Sequence, residues 1–562
     1  MNDMPLGHST CTPHAPSPVH PWPGLIVLAQ NRAPALAAVG SLPVPTASLS
    51  RERLFRPQGL AAELYNKEAV APRNHRAESS KRGHKLQYGI IAGLVLVLAV
   101  SMAGTFASSL VAIESAKDTV ISADSDCSVL KVARSYDFAL PLVLMGATRD
   151  VTLKTAQGVY PDDDVTLQSI VNTFSHTLRF PTPDFKSVVN PNVDTLYSSA
   201  FLDIGLEPVV LTIPKENGIR LGLFQVMDFW SNVIGNPYVR GSMYNVCIYL
   251  APHLASDEYM KCPEGVESIE SNTTNLWLLA RTAPRDSSDN SDLDLANEMQ
   301  NQYELRNLSG WRAGSSPNRA WLTDGANTLS ARDIVEEMSA AEFFNISTQL
   351  MADNKPTADD VRFVREVWTA VEESSDAVLS EGVKLAKERR PSQKAELFER
   401  TEGWSGISDS IGTFGTDYAL RAVIADVGFA ANLPEDAVYF IKPFLNGALK
   451  HTLRLSPPPP VDKTRGFWSI TSYVGLYLVA DPRYPDGNRA AVVSSLQSSL
   501  FEESNGDTVI HIQANDPGEG KNWLYVPAEE SGASLTLTAR FYLPEDAIFP
   551  EKTWTLPRIE TH

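Results

Sequence analysis

Twenty-eight consecutive residues, Leu86 to Ile113, read LQYGIIAGLVLVLAVSMAGTFASSLVAI and carry no charge. About 20 apolar residues cross a bilayer core. A globular helix of such length normally keeps a polar face. The run therefore predicts one transmembrane helix over 86–113. It is too long, and too far from the first residue, for an ordinary cleaved signal peptide. Lys81, Arg82 and Lys85 precede it, while Glu114, Asp118, Asp124 and Asp126 follow with Lys117. Positive charge stays on the cytoplasmic side of a membrane. The expectation is a single-pass membrane protein with a cytoplasmic N-terminus and a lumenal or extracellular head.

Charge divides the chain in the same place. The whole carries −19, yet residues 51–85 hold nine Lys/Arg against four Glu. The remainder is correspondingly acidic, which argues against a nucleic-acid partner, because phosphate binding needs a basic footprint. Residues 1–85 are rich in Pro, Ala and Ser, as in HAPSPVHPWPG, and predict a disordered tail. The first fifty residues contain Asp3 as their one acid, so an organelle-targeting peptide is the competing expectation. Beyond the run, 43% apolar and 20% charged residues are ordinary for a chain with a real core.

From 130 to 285 short strands dominate. Ser135–Val151 reads as a helix that Pro141 would break or kink. Thr195 to Leu202 alternates with period two, its bulkier aromatic face on Thr195, Tyr197, Ser199 and Phe201. PVVLTIP and RLGLFQVMDFW flank KENG as a hairpin would. Residues 286–440 change to helical periodicity, and Thr357 with Asp360 resembles a capping box. From 441 to 562 strands return. DTVIHIQA and ASLTLTARFYLP alternate, and Leu535, Leu537, Ala539, Phe541 and Leu543 share one face. The expected class is mainly β with α insertions. It comprises two antiparallel β-sandwiches of jelly-roll type and a helical segment, behind the tail and the membrane helix.

The chemistry offered is modest. There is no His-Glu-x-x-His helix, Cys-x-x-Cys pair, P-loop or Gly-x-Ser-x-Gly elbow. His176, His253, His451 and His511 are too scattered for a histidine-rich metal site, and nothing identifies a cofactor. Two acidic residues stand out. Asp194 ends the run Asn190-Pro191-Asn192-Val193-Asp194, whose short side chains suit a rigid turn launching a strand. Asp228 interrupts an apolar strand between Met227 and Phe229 and needs a partner such as Tyr197, Trp230 or Asn232. Convergent, the two would form a carboxylate pair suited to hydrolysis. Asn190, Asn192, Tyr197 and Trp230 are ligand-binding candidates beside them. In the second sandwich Trp468, Tyr473, Asn522 and Trp523 form an aromatic and amide set that suits a small molecule or glycan. Cys247 and Cys262 flank a loop that one disulfide could close, and Asn272 and Asn307 are glycosylation sequons. A third sequon, Asn345, falls inside an amphipathic helix pattern.

VVNPNVDTLYSSAFLDI, PVVLTIP and FQVMDFWSNVIG resemble domain-of-unknown-function family 1254. FWSITSY, IHIQANDPGEGKNWLYVPA and LTLTARFYLPEDAI are similar to its usual partner, family 1214. DYALRAVIADVGFAANLPEDAVY resembles the segment that joins them. The resemblance covers about residues 130–560 and implies two β-sandwich domains with helices between, but no settled reaction. After FWSITSY this chain has GLYLVADPRYPDGNR where the family has a shorter, Asn-containing turn. Three functions stay open: a small-molecule or glycan binder, a hydrolase using Asp194 and Asp228, and a structural ectodomain without a pocket.

Overall fold

The computed structural model describes residues 123–159 and 170–562. Short breaks fall at 186–189, 253–259, 319, 324–329, 398–399, 407–408, 444, 485–486, 488 and 533–534. Met1–Ile121 and Ser122–His562 form separate units, and the described residues all belong to the second.

The membrane expectation is corrected. Among the described residues no helix is long and apolar enough to cross a membrane. The run at 86–113 and the tail at 1–85 lie outside those residues. The single-pass architecture and the lumenal or extracellular placement built on that run are withdrawn with it. The longest described helix, Ala123–Val159, has 37 residues. Length alone would suffice, but it carries Lys131, Arg134, Asp137, Arg149, Asp150 and Lys154, and it is walled in by other helices. It also continues past Pro141 instead of ending there. Tertiary packing holds the helix together where the proline removes one backbone donor.

The rest is mainly β with α segments. In the first half a six-stranded sheet includes Leu196–Asp203, Asn275–Ala283 and Leu221–Asp228 as adjacent strands. A four-stranded sheet is built on Val209–Ile213 and Tyr244–Leu250. Leu196, Ala200 and Leu202 from one and Leu211, Val246 and Ile248 from the other share a single apolar core. The strand period explains the division: even-numbered residues face the sandwich core, while Tyr197 and Phe201 face the opposite way. That outer face is covered by helices. Phe201 stacks on Trp277, and both belong with Phe138, Phe343 and Trp368 to the helical core. The helix Asp360–Glu373 shows why it docks: Val364, Val367, Trp368 and Val371 recur at helical spacing and are all buried.

The second sandwich pairs a seven-stranded sheet, containing Phe467–Val474 and Leu535–Tyr542, with a four-stranded sheet built on His451–Leu455 and Thr508–Gln513. Leu535, Leu537, Ala539 and Phe541 enter its core as their alternation predicts, whereas Leu543 leaves the strand at φ 49° and joins a different cluster. The sheets are not purely antiparallel. Ser175–Thr177, Tyr244–Leu250 and Thr508–Gln513 each take one parallel neighbour.

Two helix starts test the capping expectation. Ser339 and Glu342 exchange both bonds of a complete capping box. At Thr357 the Asp360 carboxylate accepts from the Thr357 backbone and hydroxyl, at 3.0 and 2.8 Å. The helix after it has no side-chain cap on its first turn, so only the reaching-back half of the box is present.

Candidate functional site

The Asn-Pro-Asn-x-Asp run closes into a turn by local bonds. Asn190 sits at φ 47°, a left-handed conformation that asparagine tolerates. The Asn192 carbonyl oxygen accepts from the Asp194 backbone N–H at 2.8 Å, an Asx-turn. Asn192 Nδ2 also bonds Thr195 Oγ1 at 3.0 Å, and further bonds of the turn reach the second sandwich. The Asn190 N–H donates to Leu476 O at 2.8 Å, and Tyr473 OH donates to Pro191 O at 2.9 Å. Asn192 Nδ2 lies 2.8 Å from Tyr542 OH and 3.1 Å from Tyr197 OH. Ser469 Oγ donates to Asp194 Oδ2 at 2.6 Å. Arg540 donates to Asn190 O at 3.1 Å and to Tyr473 OH at 2.8 Å. The turn is thus a bracket that fastens the first sandwich to two strands of the second. Beside it Leu221, Leu223 and Ala283 pack on Phe467, Tyr542 and Leu543, the apolar half of the same joint.

Burial raises the Asp194 carboxyl above the usual carboxylate range, while the Arg540 charge and the Ser469 hydroxyl pull it back. Tyr542 is likewise pushed up by burial.

A second layer of polar groups continues the joint. Arg281 lies against the Tyr197 ring at 5.5 Å, contacts Gln225 Oε1, and donates to Ala430 O at 2.8 Å. Asn432 Nδ2 donates to Tyr439 OH at 2.8 Å. Asn432 is 1% exposed, and its Oδ1 has no hydrogen-bond partner. Asn432 and Tyr439 also line a cavity of about 70 Å³. Ile411, Phe440, Ile548 and Trp554 give it apolar walls. Lys552 and Asp409, paired at 2.9 Å and both well exposed, stand at its edge. The joint therefore reaches a cavity through one amide.

The two aspartates do not converge. Leu196 pairs with Thr282, and Asp228 pairs with Leu276, on the strand that both flank. Asp194 lies two residues beyond Leu196. Six residues of a strand at about 3.4 Å each separate the two ends by at least roughly 20 Å. A hydrolytic carboxylate pair works at about 5–9.5 Å, so that expectation is corrected. Asp228 has its own ring of donors: the Trp230 and Asn232 N–H groups at 2.9 and 2.8 Å, and Asn232 Nδ2 at 2.8 Å. Burial pushes its carboxyl up, and those three donors oppose it. Trp230 is buried against Phe138 at 4.7 Å, outside the joint.

The second aromatic set does not form an open face. Trp468 belongs to the sandwich core. Asn522 spends its amide on Phe501 O and Val509 O, and Trp523 donates to Gln513 O at 2.8 Å, both buried. Only Tyr473 of that set reaches the joint. Cys247 and Cys262 are bonded, their Cα atoms 5.8 Å apart. Asn272 and Asn307 are exposed, though Asn307 Oδ1 accepts from Asn172. Among the described residues no group of three His, Cys, Asp or Glu gathers as metal ligands would.

Reading by sequence missed Arg281, Asn432, Tyr439, Ser469, Arg540 and Tyr542. One signal was present. In LTLTARFY the face opposite the leucines carries Thr536, Thr538, Arg540 and Tyr542. An arginine flanked by Ala539 and Phe541 in a strand needs a buried partner, the same logic that singled out Asp228.

These features define a two-sandwich protein with a helical layer on one sheet and a buried polar joint between the sandwiches. Residues 171–307 match the family described as "Protein of unknown function (DUF1254)", and residues 442–546 match "Protein of unknown function (DUF1214)", in that order. The VPA0106 protein from Vibrio parahaemolyticus has a similar fold, at TM-score 0.53 and 17% identity over 77% of this chain and 100% of that one. A putative uncharacterized protein from Burkholderia cenocepacia aligns at TM-score 0.38 and 11% identity over 78% and 93% of the two chains, too loosely to carry any argument. No curated protein matches the sequence.

Proposed function

We propose that the protein binds a small molecule in the cavity at the edge of the joint. The observation that carries this reading is the continuity of the polar cluster with the cavity: Tyr439 and Asn432 belong to both. Asn192 and Asp194 hold the joint, since their bonds are spent on protein partners. They are positioning residues in this reading, not reacting groups.

Size narrows the choice between small molecule and glycan. A cavity of about 150 Å³ accommodates benzene, and this one is about 70 Å³. It takes one end of a molecule, not a whole sugar ring. Saturation-transfer NMR on the full chain with 1-butanol, n-butylamine and propionamide tests the reading. At least one probe should receive magnetisation, and Thr555→Trp, which places a bulky ring at the exposed edge of the cavity, should abolish it. No transfer to any probe, or transfer unchanged in the variant, rejects the cavity as a binding site.

A further inference from the structure

Charge enters the cavity at one place. Ile411, Phe440, Ile548 and Trp554 wall it, and Lys552 and Asp409 are the charged residues among its described lining. Lys552 Nζ lies 2.9 Å from Asp409 Oδ1, and the two side chains are 40% and 52% exposed. Residues that line the cavity and also meet solvent mark its opening. One positive and one negative group therefore stand side by side there, both within reach of an arriving molecule. We infer that the ligand is a small zwitterion of the amino-acid kind. Its ammonium lies against Asp409, its carboxylate against Lys552, and a short apolar chain fills the cavity. This rests on the binding reading above and goes beyond it by naming the ligand's class.

The pairing of the two charges supports that class over the others. A lone carboxylate drawn to Lys552 meets the Asp409 carboxylate, which already holds the same ammonium. A lone ammonium drawn to Asp409 meets Lys552 in the same way. Like charges brought together at a contact are unfavourable, and they reject the wrong partner. An uncharged head forgoes the attraction of both ions. A zwitterion answers both at once, and turning it end for end sets like against like twice. Its head stays at the exposed pair, so neither charge has to give up its water entirely. The chain is short for the reason of size already given: beside the 150 Å³ that takes benzene, about 70 Å³ takes roughly three or four carbons.

Four probes that share one propyl chain decide the matter. Racemic norvaline carries both charges, pentanoate the carboxylate alone, n-butylammonium the ammonium alone, and 1-butanol neither. Dissociation constants measured on the full chain by NMR titration at neutral pH should favour norvaline over each of the others by about fivefold or more. Asp409→Asn should bring norvaline to within about twofold of pentanoate, and Lys552→Gln to within about twofold of n-butylammonium. Both side chains are exposed, so neither change opens the core. Pentanoate or n-butylammonium binding at least as tightly as norvaline would overturn the zwitterion in favour of a single charge. 1-Butanol binding as tightly, or a gap that survives in the variants, would overturn the assignment while leaving the cavity a binding site. Binding of none of the four would sink the assignment and the binding reading together.

Discussion

Ser469 Oγ donates a 2.6 Å hydrogen bond to Asp194 Oδ2 across 275 residues of chain. One partner belongs to a turn of the first sandwich and the other to a strand of the second. Neither residue touches solvent appreciably. The two halves of the protein are therefore registered by a buried polar contact, set beside the apolar cluster that holds Leu223 and Phe467.

Removing the acceptor should be costly. Asp194→Ala leaves the Ser469 hydroxyl unmet and takes a carboxylate from beside Arg540. The expected loss is about 2–3 kcal/mol, larger than for a simple turn bond, because buried groups are left unsatisfied. Ser469→Ala should lose about 1 kcal/mol, and the double variant should lose less than the two combined, by about 1 kcal/mol. Urea midpoints of the four proteins measure the cycle. Strict additivity would show that the two residues do not act as a pair.

His176 supplies a pH dependence with a definite sign. It is fully buried, its Nδ1 is 2.8 Å from Ser198 Oγ, and burial lowers its pKa from 6.5 to about 4. The unfolded chain takes up a proton below about pH 6.5, where the folded chain does not. Stability from this group is therefore complete above pH 6.5 and is lost as pH falls toward 4, by about 3 kcal/mol in all. Asp194 and Asp228 work the other way. Burial raises both, so their contribution is complete below the ordinary carboxylate range and is lost as pH rises through their folded values. Comparing native protein with His176→Gln cancels the acids. Denaturation midpoints at pH 4.5 and 7 should differ less in the variant, and an equal difference would exclude His176 as the source.

The Cys247–Cys262 bond closes a loop with a sequence separation of 15. Constraining a loop of that length in the unfolded chain is worth about 3 kcal/mol in the chain-entropy account. The Cys247→Ser, Cys262→Ser double variant should therefore unfold at a lower urea concentration than the oxidised protein. Reducing agent should bring the native protein toward the variant. If reduction moves nothing, the two thiols are not joined in the protein as made.

Much of the architecture was legible from periodicity. The alternation of Leu535, Leu537, Ala539 and Phe541 predicted a strand face, and those residues fill the second sandwich core. The alternation puts Tyr197 and Phe201 on one face of a strand, but nothing in it says what covers that face. A helical core drawn from distant stretches, with Phe138 before the strand and Phe343 and Trp368 well after it, does so. The Asn-Pro-Asn-x-Asp turn was legible as a turn for the same local reason, since its shape comes from Asn192 bonding Asp194 two residues on.

Local pattern thus determined the succession of strands and helices, the domain order, and the turn at Asn190 to Asp194, because each depends on bonds within a few residues. The two-family match fits the same order. Only the tertiary structure decided what the charged residues do. It set Asp194 and Asp228 toward opposite ends of the strand Asn275–Ala283 and brought Ser469 and Arg540 to the first of them. A strand's period says which face a side chain takes, and nothing in it says what will lie across from that face.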